Sequence, residues 1–335
     1  MRQSRLKQLA KGLLGMWVVA LVTQCAQSDT FYSNTLRADL FSQIYAEDKY
    51  DFLWVFDNSP SMKDKVAYVR DNFNRFLGIL TTRKAIDFQM AVVTGDFMIQ
   101  QGQLISSDTG LKVVTNASAD PIADFASIVK NVKDTTRSFW DQDLESAYQA
   151  ISKYGSTFMR KGVPLIIIVV TDGDDSSCQS HCYGREPRHN PDQVPYPIER
   201  YIDYFKNIKA SESTNTFFFP IIGLHSSSCE VQDYGMRYYQ VASALGGTVG
   251  SVCLAEIGSA YDNIAKTIGD RGTRFPLTSQ ASGHGIIVSV DCEIVPYSKE
   301  DGYFYEASTN SIVFTGTRIP KKGAKVQIAY KQQTA

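Results

Sequence analysis

A chain of 335 residues with a formal net charge of −1 is long enough for one large domain and a small one, and it has no basic field that would mark a nucleic-acid partner. Aromatic residues are plentiful, with 18 Tyr and 18 Phe.

The amino terminus sets Arg2, Arg5, Lys7 and Lys11 ahead of an apolar run from Leu13 to Val22, too short to span a bilayer, which reads as a secretory signal. The run ends in Leu21-Val22-Thr23-Gln24-Cys25, which resembles the processing box of bacterial lipoproteins, with Gln24 where Gly, Ala or Ser is usual. The resemblance implies a lipid on Cys25, and Ala26 in place of Asp implies the outer membrane. Several acyl chains anchor firmly where one gives only marginal binding. The alternative is an ordinary signal with a coincidental cysteine. Residues 26–49 then read as a tether and a short amphipathic piece, whose Leu40, Phe41, Ile44 and Tyr45 fall at helical spacing.

From Asp51 an apolar run, Phe52-Leu53-Trp54-Val55-Phe56, stops at Asp57-Asn58-Ser59-Pro60-Ser61. Such a run reads as a buried parallel strand, and its carboxyl end is where open α/β sheets place ligands. Asp57, Ser59 and Ser61 alternate, so an extended segment turns three hard oxygen donors to one side. A carboxylate with hydroxyls suits Mg²⁺ or Mn²⁺, with Ca²⁺ a further candidate. Helices are expected from Met62 to about Leu80, from Pro121 to Lys133 and from Leu144 to Phe158; strands are expected at Ile86–Val93 and Leu111–Thr115. Asp96 follows the first of these strands, either as an acid supporting the metal ligands from behind or as a solvated turn residue.

A second apolar run, Leu165 to Val170, ends in Thr171-Asp172-Gly173. Asp-x-Ser-x-Ser followed by Thr-Asp-Gly resembles the von Willebrand factor A family, over roughly residues 50 to 270. That family's metal-ion-dependent adhesion site uses these two motifs, and Asp57, Ser59, Ser61 and Asp172 match it position by position. The resemblance implies a metal-dependent grip on a protein ligand. Where the family has a threonine ligand, this chain has Asp141 or Gln142, Asp141 being the better oxygen donor; an added carboxylate tightens metal binding and weakens capture of an acidic ligand. Helix capping by Asp141 and Asp143 is the competing account. A looser resemblance, carried by the helix Leu144–Phe158 leading through Met159-Arg160 into Val163-Pro164 and by Val169 to Ser176, is to a bacterial subgroup of von Willebrand A lipoproteins.

An acidic insertion follows Asp172, carries Cys178, His181, Cys182 and His189, and runs through four prolines to Pro197. It is the expected specificity loop; a zinc site there is the weaker alternative. Helices at Tyr201–Ile208, Tyr238–Leu245 and Ile257–Ile268 alternate with strands at Thr216–Ile222 and Thr248–Cys253. The expected fold class is α/β, a doubly wound, mostly parallel sheet over residues 50–271, with a small all-β module at 272–335. The preferred bridges are Cys178–Cys182 and Cys229–Cys253, which leaves Cys292 over, and spacing alone does not fix the connectivity.

Three functions are open. The first is a lipid-anchored envelope protein that binds a divalent cation and holds another envelope or extracellular protein. The second is a scaffold whose metal fixes loops. The third is a metal-dependent hydrolase built on Asp57, Asp141 and Asp172, against which stands the lack of an evident general base.

Overall fold

The computed structural model describes residues 36–43, 49–82, 85–133, 141–180, 194–212 and 215–333. The chain forms two compact units, residues 47–271 and residues 1–46 with 272–335. The leader expected at 1–25, with Cys25, lies outside the described residues, as do His181, Cys182 and His189.

The first strand, β1 (Leu36–Ser42), belongs to the smaller unit. In the larger unit the elements follow as β2 (Lys49–Phe56), α1 (Lys63–Asp71), α2 (Phe73–Leu80), β3 (Asp87–Thr94), the one-turn α3 (Phe97–Gln100), β4 (Val113–Thr115), α4 (Pro121–Lys130), α5 (Asp143–Phe158) and β5 (Leu165–Val170). After them come β6 (Cys178–Ser180), β7 (Val194–Pro195), α6 (Ile198–Asn207), β8 (Thr216–Ile222), α7 (Met236–Leu245), β9 (Gly250–Ser251) and α8 (Leu254–Gly269). The central sheet has the order β4-β3-β2-β5-β8-β9, parallel except for the edge strand β4. It is the doubly wound α/β architecture.

Alternation along β2 builds both faces of the sheet. Phe52, Trp54 and Phe56 enter an aromatic layer with Phe73, Phe76, Phe125 and Tyr261, where Trp54 meets Phe76 and Phe125 edge-on. Leu53 and Val55 face the other way, into a core with Leu144, Phe158, Tyr201 and Phe218. Strands buried on both faces read as unbroken apolar runs, which is why β5 and β8 are fully buried. At the amino end of the sheet, Asp51 is locked by Arg160, whose Nε and backbone N–H donate to its two carboxylate oxygens.

The helix expected from Met62 to Leu80 is two helices that meet at Asn72. Asn72 leaves helical geometry and its side-chain amide donates to Tyr68 O, the local competition with the backbone that makes Asn a poor interior residue.

The smaller unit is completed by β10 (Arg274–Pro276), β11 (Ile287–Val290), β12 (Glu293–Ile294), β13 (Gly302–Glu306), β14 (Ser311–Thr315) and β15 (Lys325–Lys331). They form two antiparallel sheets, β1-β15-β11-β12 and β10-β14-β13, around Phe275, Val288, Ile312, Phe314, Val326 and Ile328. The amphipathic piece expected at Leu40 and Phe41 is therefore corrected: Leu36–Ser42 is a strand paired along its whole length with β15. Its inward residue is Asp39, which accepts from Thr278 N, Thr278 Oγ1 and Tyr330 Oη, while Leu40 is 72% exposed.

Cys229 and Cys253 are joined in a disulfide. Cys178 and Cys292 each take part in a disulfide as well, so the expectation that Cys292 is left over is corrected. Cys292 sits with Asp291 in the two-residue turn between β11 and β12, both at positive φ, 71° and 48°.

Candidate metal centre

The two motif loops leave neighbouring parallel strands at the same end. Asp57 follows β2 and its backbone N–H donates to Val170 O; Thr171 follows β5 and donates to Ile221 O; Gly95, after β3, donates to Phe56 O. The carboxyl ends of four strands are thereby stitched together before any side chain is considered.

The side chains then form a continuous series. Ser59 N donates to Asp57 Oδ1 at 2.7 Å and Thr171 Oγ1 to Asp57 Oδ2 at 3.0 Å. The hydroxyls of Ser59 and Ser61 are 3.1 Å apart, and Ser61 Oγ donates to Asp172 Oδ1 at 3.1 Å. Asp57 and Asp172 are 1% and 2% exposed, whereas Ser61 is open to solvent. Four of the five expected ligands thus meet through direct contacts.

Asp141 is the fifth. Its carboxylate presses on Gly173, where a Cβ would collide with Asp141 Oδ2, so the glycine of the second motif makes room for this acid. Its backbone carbonyl accepts from the N–H and Oγ of Ser176. Burial drives the Asp141 carboxyl well above the ordinary range, and the carboxylates of Asp57, Asp143 and Asp172 push it further. The Asp57 carboxyl is raised by burial too, against the Ser59 amide that favours its charged form.

Capping does not account for these acids. At the amino end of α5, Leu144 N is held by Asp175 Oδ1 and Glu145 N by Ser177 Oγ, both from the loop after β5. Asp143 points elsewhere: Tyr238 Oη donates to its Oδ2 at 2.5 Å, and its Oδ1 is buried with no partner, against Gly95. Its carboxyl is pushed well up by burial and then by Asp57. Asp174 is raised to about 6 by burial, and Asp175 is paired with Arg237. Asp96 caps α3 by accepting from Ile99 N.

A divalent cation fits this set. The donors are hard oxygens, one buried carboxylate oxygen lacks a partner, and four carboxyls (Asp57, Asp141, Asp143, Asp172) crowd a place where like charges are costly without a counter-charge. Among the described residues no three His, Cys, Asp or Glu side chains converge as ligands, so the hydroxyls of Ser59 and Ser61 would have to complete a shell begun by the carboxylates.

The sequence reading missed Lys65, Asp143 and Thr171. Lys65 Nζ lies 2.5 Å from Asp172 Oδ2 and 3.2 Å from Ser61 O. Its signal was its place four residues after Ser61, one helical turn on. A cleft of about 270 Å³ opens beside Asp57 and Ser59, bounded by Lys63, Asp64 and Arg70 of α1 and by Lys130.

No family model and no curated protein matches the sequence. Solved structures are similar at low identity. The pilus adhesin SpaC from Lactobacillus rhamnosus GG, in its open conformation, is 14% identical with a TM-score of 0.44, over 90% of this chain and 42% of that one. A mutant of the PilB minor pilin from Streptococcus sanguinis is 12% identical with a TM-score of 0.40, over 67% and 62%. The ArnB paralog VWA2 from Sulfolobus acidocaldarius is 11% identical with a TM-score of 0.33, over 91% and 64%. The chain thus spans less than half the length of the adhesin SpaC.

Proposed function

We propose that the larger unit is a von Willebrand factor A-type binding module that holds a divalent cation and engages a protein partner outside the cytoplasm. The carrying observation is the unbroken contact series Asp57, Ser59, Ser61, Asp172 at the carboxyl ends of β2 and β5. Asp57, Ser59, Ser61 and Asp172 would hold the cation, Mg²⁺ or Mn²⁺ by donor type, with Asp141 adding negative charge behind Asp57. The cation supplies a positive charge that a partner's oxygen can share. The serines serve as ligands, which leaves the cluster without a nucleophile and makes binding, not catalysis, its chemistry.

The test is a calorimetric titration of the protein with Mg²⁺, Mn²⁺ and Ca²⁺ beside Asp57→Ala, followed by capture from envelope extracts. Saturable binding lost in the variant, with a captured protein released by chelator, supports the proposal. A second reading, in which the metal only fixes loops, is favoured by the near-complete burial of Asp57 and Asp172. It predicts metal binding with capture indifferent to chelator.

A further inference from the structure

Among the described residues, Lys65 is the member of the cluster whose charge opposes metal binding. It lies in the first turn of α1, which follows directly from the loop bearing Ser59 and Ser61, so the helix delivers its side chain back over that loop. Its side chain is only 11% exposed, and the ammonium is fixed between the Ser61 carbonyl and Asp172 Oδ2. The other Asp172 oxygen is taken by Ser61 Oγ. Lys65 therefore holds one of the two carboxylates that the proposed site needs and supplies a monovalent positive charge among four carboxyls.

We propose that Lys65 is a built-in counter-ion that competes with the divalent cation, so that the site alternates between a lysine-closed and a metal-open state. This rests on the metal reading of the site. Two physical facts drive the competition. A carboxylate oxygen in a close ion pair is unavailable to a metal until the pair opens, and an ammonium left within a few ångströms of a dication repels it in a poorly screened interior. The long flexible stem of lysine gives the ammonium a way to leave Asp172 by side-chain rotation alone. The metal-free protein is thereby kept from the full repulsion of its own acids, and metal affinity is set lower than the donor set alone would give. A partner that contacts α1 and draws Lys65 outward would raise metal affinity.

The experiment compares the full-length protein with Lys65→Met and Lys65→Gln in calorimetric titrations with Mg²⁺ and Mn²⁺, and in thermal melts with and without metal. The expected result is that both variants bind the metal roughly tenfold or more tightly than the wild type. Both should also melt lower than the wild type in chelator, with the gap closing as metal is added. A wild type that binds no metal beside a variant that binds is the same result in its extreme form. Equal affinity in wild type and variants, or weaker binding in the variants, overturns the competition while leaving the metal site standing. Absence of binding in all three proteins overturns the metal reading and the competition with it; the Lys65–Asp172 pair is then only structural, as equal loss of stability in Lys65→Met, Asp172→Asn and the double variant would record.

Discussion

Thr171 Oγ1 donates to Asp57 Oδ2 across 3.0 Å, joining the end of β5 to the first motif on β2. Both groups are buried, so the hydroxyl is the means by which one motif fixes the carboxylate of the other. Thr171→Val keeps the shape and removes the donor. It should cost about 1–3 kcal/mol in denaturant unfolding, and Thr171→Ser should cost much less. An unchanged Thr171→Val would mean that Asp57 is oriented by Ser59 alone.

Acid should stabilise the metal-free protein at this edge. Burial raises Asp174 from 3.8 to about 6 and drives Asp141 and Asp143 well above the ordinary carboxylate range. A carboxyl with a raised folded-state pKa contributes stability that is complete below its unfolded pKa, near 4, and is lost as pH rises through the folded value. In chelator the melting temperature contribution of Asp174 should fall between about pH 4 and pH 6, with Asp141 and Asp143 adding losses of the same sign as pH rises. Asp174→Asn should flatten the lower part of the profile, and saturating Mg²⁺ should flatten the part due to Asp141. Melting curves across pH for wild type and variant read both effects.

At the opposite end of the sheet, Arg160 answers a fully buried Asp51 and also reaches Asp87. Removing the guanidinium strands the buried acid. Arg160→Met should destabilise by about 3–5 kcal/mol in urea unfolding while leaving metal affinity in the surviving folded protein unchanged.

Cys292 is disulfide-bonded in the turn between β11 and β12. Non-reducing peptide mapping of the protein should therefore recover the Cys292 peptide cross-linked to another cysteine peptide, beside a Cys229–Cys253 peptide. A Cys292 that alkylates without prior reduction would contradict it.

The sheet was legible because burial on both faces leaves its signature in consecutive residues. Phe52 to Phe56, Leu165 to Val170 and Thr216 to Ile222 could be read directly as strands, and the two motifs followed from where the first two stop. The strand β1 was not legible: its buried residue is Asp39 while Leu40 is exposed, the reverse of the usual pattern, and its partner lies almost 300 residues away. The same limit applied at the site. Asp57, Ser59, Ser61 and Asp172 were found by motif, but the role of Asp143 depends on Tyr238 and Gly95, and that of Lys65 on Asp172, contacts that only the folded chain creates.

The most direct test is anomalous diffraction from crystals of the protein grown with Mn²⁺. The account predicts one strong anomalous peak bounded by Asp57, Ser59, Ser61 and Asp172, with the Lys65 ammonium withdrawn from Asp172. A map with no peak there, and Lys65 still paired with Asp172 at saturating Mn²⁺, would contradict it.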